Sequence, residues 1–142
     1  MYEDLDYNIK NYEYDDPISD EDWSDFACDF TGEVLDEFTE EDWNKLFQEL
    51  PNKSTMWKKR FSDLLTDPED SRNLRGLMEM ANTDDIKLFV NVIMNLNSFD
   101  LSEVEGLEPL FEKAEQLVNG DNNYGRSILV SFLEKKNRGK SR

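Results

Sequence analysis

The chain has 142 residues, 37% hydrophobic and 35% charged, with 33 Asp and Glu against 16 Lys and Arg and a formal net charge of −17. Its apolar residues, 17 aromatics among them, are enough to fill a core, so the charge does not enforce disorder, and the length fits one domain. Histidine is absent and Cys28 is the only cysteine, which excludes His-based acid–base catalysis, Ser-His and Cys-His nucleophile pairs, His-containing zinc sites and an internal disulfide.

No run approaches 18 apolar residues, so no membrane span is expected. Met1-Tyr2-Glu3-Asp4-Leu5-Asp6 lacks the basic region and apolar core of a signal peptide. With a lone cysteine, this points to a reducing cytoplasmic location. The charge is unevenly placed. Residues 1–50 hold 18 acids against Lys10 and Lys45, a net of −16, while residues 51–142 come to −1. Such a field repels nucleic acid and anionic lipid and steers a basic protein surface towards it.

Residues 1–17 are acidic and rich in tyrosine, and are expected to be a weakly ordered segment, although Leu5, Ile9 and Tyr12 fit one face of a short helix. One phrase is then written twice, as Ile18-Ser19-Asp20-Glu21-Asp22-Trp23 and Phe38-Thr39-Glu40-Glu41-Asp42-Trp43. Each copy has the form of a helix start. Ser19 or Thr39 serves as cap, Asp22 or Asp42 completes a capping box, and Ile18 or Phe38 staples onto the tryptophan. The first helix is expected over 20–37, with Trp23, Phe26, Ala27, Phe30, Val34 and Phe38 inward, and Gly32 as a weak point. A second is expected over 40–50, ending before Pro51.

A third helix, capped by Ser54, carries Trp57, Phe61, Leu64 and Leu65. A fourth begins at Asp67-Pro68 and carries Leu74, Leu77, Met78 and Ala81. A fifth opens at Thr83-Asp84-Asp85 with Ile86, Phe89, Val90, Ile93 and Leu96 inward. A sixth starts at Pro109 with Leu110, Phe111, Ala114, Leu117 and Val118. The last uses Tyr124, Ile128, Leu129, Phe132 and Leu133. No stretch alternates as a strand. The expected fold is all-α, either a short HEAT-like stack of antiparallel helix hairpins or an irregular helical bundle. A single domain spans 18–136, followed by a basic tail over 137–142, and the expected core is Trp43, Phe47, Trp57, Phe61, Leu64, Leu77, Phe89, Val90, Ile93, Phe111, Leu129 and Phe132.

The first helix also supplies the candidate binding surface. Asp22, Asp25, Asp29, Glu33 and Asp36 fall within about 80° of one another at 100° per residue, and no Lys or Arg lies between Asp20 and Glu40. A solvated face usually mixes signs, so a repulsive row without compensation suggests a positive partner. Glu37, Glu40 and Glu41 extend the row, and Tyr12 and Tyr14 can lie along Arg and Lys stems of a partner. The three tryptophans have core registers. Asp20-Glu21-Asp22 and Glu40-Glu41-Asp42 point apart on a helix, and the loop from Asp121 lacks the Gly and Glu of a calcium site, so no metal or cofactor is expected. Cys28 sits among acids that disfavour its thiolate.

The runs around Trp23, Trp43 and Trp57-Lys58-Lys59-Arg60-Phe61 make residues 18–98 resemble the small acidic helical immunity proteins encoded beside interbacterial toxins, including contact-dependent growth inhibition systems. That resemblance implies a cytoplasmic, non-enzymatic antidote, monomeric when free, that binds a cognate toxin domain, often a basic nuclease. These proteins share no catalytic motif, so the ten partner-binding candidates rest on charge alone. Two alternatives remain open: an acidic nucleic-acid mimic aimed at a DNA- or RNA-binding complex, and a helical-repeat adaptor that holds a peptide.

Overall fold

The computed structural model describes residues 1–14 and 16–140, the side chains of 137–140 excepted. Every regular element among them is helical, so the fold is all-α. The chain divides into two compact units, Met1–Thr66 and Asp67–Arg142. All twelve expected core residues are buried.

The first unit is built around the segment expected to be weakly ordered. Residues Tyr2–Lys10 form helix α1, with Tyr2, Leu5 and Ile9 buried. A nine-residue helix is marginal alone, and α1 is held by residues 40 to 51 positions further along. Helix α4 (Glu40–Glu49) offers Asp42 to the backbone N–H of Tyr2 at 3.3 Å, and Lys45 pairs with Glu3 at 2.7 Å. Lys53, just before helix α5 (Thr55–Ser62), donates to Asp6 Oδ1 at 2.8 Å, and Trp57 Nε1 donates to the same oxygen at 2.9 Å. Burial pushes the Asp6 carboxyl up, but hydrogen bonds from Lys53, Lys10 and Trp57 outweigh it and hold the group below its usual range.

A carboxylate depressed in this way contributes stability that is present above its unfolded pKa, about 3.9, and lost as pH falls through the folded value. Asp6→Asn should therefore lower the stability of this unit at pH 7, and the gap between variant and wild type should shrink as pH drops below about 4. Denaturation followed by tryptophan emission reads this unit alone, because all three tryptophans (Trp23, Trp43 and Trp57) lie in it. A gap that stays constant from pH 7 to pH 3 would contradict the assignment.

The two copies of the repeated phrase behave differently. In α4 the second copy is a helix start as expected. Thr39 and Asp42 form the full capping box, and the Phe38 and Trp43 rings meet edge to face at 5.5 Å. The first copy lies inside a helical run that has already begun. Helix α2 (Pro17–Asp22) is capped by Asp16, which accepts from Ser19 N–H at 2.8 Å, with Pro17 in the first turn. Ile18 is therefore exposed rather than stapled to Trp23.

A π-helical turn, Trp23–Ala27, then leads into helix α3 (Cys28–Asp36). The wider i→i+5 turn, closed by Cys28 N–H on Trp23 O, inserts one residue into the helical phase. The buried row becomes Trp23, Ala27, Thr31 and Leu35, and Phe26 and Phe30, expected inside, face solvent. Gly32 does not break the helix.

The second unit contains α6 (Ser71–Met80) packed on α7 (Ile86–Leu96), and α8 (Glu108–Asn119) packed on α9 (Arg126–Lys140), with α7 also against α9. Asp70, three residues beyond the expected Asp67, caps α6. Asp85 caps α7 by accepting from Leu88 N–H at 2.9 Å, which leaves Ile86 outside, and Tyr124 stays exposed before α9. Gly125 makes the approach of α9 to α7 possible: its φ is +66°, and a Cβ there would lie 2.3 Å from Val90 Cγ1. The basic tail expected over 137–142 lies outside the residues whose side chains are described.

Candidate functional site

The candidate surface belongs to the first unit, where 19 acids face six Lys and Arg. The positions of the cations decide what is left over. Lys10 and Lys53 pair with Asp6, Lys45 pairs with Glu3, and Arg60 pairs with Asp20. These four therefore sit with α1, α2 and the segment between them. Asp25, Asp29, Glu33, Asp36, Glu37, Glu40 and Glu41 are exposed, and among the described residues none of them is in an ion pair. Asp22 is half-buried.

Part of the row borders a cleft of about 270 Å³ beside α3, lined by Cys28, Asp29, Gly32, Glu33, Asp36, Asp63, Leu64 and Thr66. Asp63, which the sequence argument did not single out, follows α5 and adds a carboxylate from the opposite wall. Its Oδ2 accepts from Trp23 Nε1 at 3.3 Å, so the buried indole orients it. No local pattern could have linked Asp63 to α3, because the connection runs through a tertiary hydrogen bond spanning 40 residues. Burial raises the Cys28 thiol pKa, and Asp63 and Asp29 raise it further, so the thiolate nucleophile is disfavoured here.

Gly32 lines this cleft. A Cβ at Gly32 would meet nothing within 4 Å, so no steric requirement keeps glycine there. Gly32→Ala should stabilise the first unit by about 0.5–1 kcal/mol, the ordinary helix-interior difference. A urea titration followed by tryptophan emission that shows a loss of stability would contradict the open-cleft geometry.

The two tyrosines are placed unequally. Tyr14 is exposed, while Tyr12 is half-buried with its ring 5.7 Å from that of Trp23. The backbone carbonyls of both accept from Arg60, whose side chain is 3% exposed, at 2.9 and 3.0 Å. Arg60 thus fixes the stretch between α1 and α2 and, through Asp20, the start of the helical run that bears the acids.

Among the described residues, no group of three or more His, Cys, Asp and Glu could hold a metal ion, and no helix is long and apolar enough to cross a membrane. No protein-family model, curated protein or solved structure matches the chain.

Proposed function

We propose that the chain is an immunity protein that binds and neutralises a cognate toxin domain with a basic surface, acting in the cytoplasm as a stoichiometric inhibitor and not as an enzyme. The observation that carries this reading is the row of seven exposed carboxylates from Asp25 to Glu41, without an ion pair among the described residues, in a unit where Lys10, Lys45, Lys53 and Arg60 are engaged elsewhere. Like charges at helical spacing cost a few tenths of a kcal/mol per pair, and a basic partner turns that cost into attraction and fast encounter. A basic nuclease fits best, since a surface evolved to hold phosphates is complementary to carboxylates.

A nucleic-acid mimic would use the same acids. Phe26 and Phe30 standing exposed among them favour a protein surface with apolar pockets over a site shaped for a phosphate backbone.

The test is bacterial growth under induction of the toxin domain encoded beside this gene. Co-expression of the chain should restore growth, and the two proteins should co-purify at one to one. Growth arrest that persists at equal expression of both, with no complex, would refute the immunity reading.

A further inference from the structure

Two large aromatic side chains are displayed where the helical pattern should have hidden them. Phe26 is 66% and Phe30 45% exposed. The cause is the π-helical turn at Trp23–Ala27, which brings Trp23 and Ala27 to the buried row and rotates Phe26 and Phe30 out of it. Single exposed hydrophobics are ordinary. A pair one helical turn apart, produced by a π-turn of the kind that often marks functional positions, is less so.

Their setting is uniform in charge. Asp25 and Asp29 each precede a ring, and Phe30 and Glu33 of α3 fall within about 60° of one another at 100° per residue, with Glu37 following as the C-cap of that helix. All four acids are exposed, and no Lys or Arg lies between Asp20 and Glu40. A second copy of the chain would bring these carboxylates against their own kind, which disfavours self-association. The complementary occupant is an apolar pocket edged with positive charge.

Building on the proposed function, we propose that Phe26 and Phe30 are the anchors of the interface. They enter an apolar pocket on the toxin domain that is rimmed by Lys and Arg, and Asp25, Asp29, Glu33 and Glu37 engage the rim. Buried aromatic anchors govern how long a complex lasts, whereas rim charges govern how fast it forms.

The test compares wild type with Phe26→Ala/Phe30→Ala for binding to the toxin domain encoded beside the gene, by surface kinetics at physiological salt. The off-rate should rise about a hundredfold while the on-rate stays within about threefold. Binding by wild type with both rates of the variant within threefold of it would overturn the anchor assignment and leave the immunity reading standing. Absence of wild-type binding would remove both. Two controls guard the result. Tryptophan-monitored denaturation of the variant should match wild type, and a marked loss would assign the rings to the core instead. Sedimentation of the free chain at about 100 μM should show a monomer, and a dimer abolished by the double substitution would make a second copy the occupant and overturn the proposal.

Discussion

Arg60→Met is expected to lower the stability of the first unit by about 3 kcal/mol. The guanidinium is almost fully buried and holds three groups at once: the Tyr12 carbonyl, the Tyr14 carbonyl and the Asp20 carboxylate. Methionine keeps much of the apolar stem and removes the donors. Two carbonyls lose a charge-assisted hydrogen bond, and Asp20, one of whose oxygens is buried, loses its counter-charge. Breaking a buried pair from one side costs about 3–5 kcal/mol, and the partial exposure of Asp20 places this case at the lower end. Arg60→Lys should recover little, because an ammonium cannot reproduce the planar fork that reaches all three acceptors. Urea titrations followed by tryptophan emission report the affected unit directly. A loss below about 1 kcal/mol for Arg60→Met would show that the stretch between α1 and α2 is held by something else.

Combined replacement of Asp25, Asp29, Glu33 and Asp36 by Lys is expected to slow association with the proposed toxin partner about a hundredfold at low salt. The four side chains are exposed and, among the described residues, without ion pairs, so their field acts on the partner instead of being spent internally. Steering by such a field raises on-rates by roughly 10 to 1,000-fold and fades as the screening length shortens to about 8 Å at physiological ionic strength. The wild-type on-rate should therefore fall steeply with salt, and the variant's should not. The fold should survive, since reversal removes no hydrogen bond or ion pair found at these positions. Equal reversal of Glu103, Glu105, Glu112 and Glu115 is the control. All four are exposed in the second unit, and the one ion pair they make among the described residues, Glu115 with Lys136 at 3.3 Å, has a half-exposed carboxylate and is worth little. Equal slowing by both sets, or an on-rate indifferent to salt, would argue against steering by the acidic row.

The sequence was legible where the causes are local. Thr39 and Asp42 sit three residues apart, and Phe38 and Trp43 flank that cap, so the start of α4 is legible from four residues. The apolar positions of α5 to α9 kept an undisturbed 3.6-residue period, and their core members are buried. Legibility failed in two physical circumstances. The π-turn at Trp23–Ala27 departs from 100° per residue within the candidate surface itself, so Phe26 and Phe30 lie outside the face that a constant period gives them. Asp16 and Pro17 also start the helical run earlier than Ser19 could, which leaves Ile18 without its staple. The second circumstance is distance along the chain. The apolar spacing of Leu5 and Ile9 was visible, but Lys53, Trp57 and Asp42, which hold α1, lie 40 or more residues away. The same holds for Asp63, brought to the acidic cleft by Trp23.

The account stands most directly on where the partner touches the chain. Hydrogen–deuterium exchange of the free protein and of its complex with the proposed toxin partner reads that location along the backbone. The account predicts slowed exchange confined to the run from Asp20 to Glu41, strongest in α3, with the amides of residues 67–140 unchanged. Protection concentrated in residues 67–140, with α3 exchanging as it does in the free protein, would contradict it.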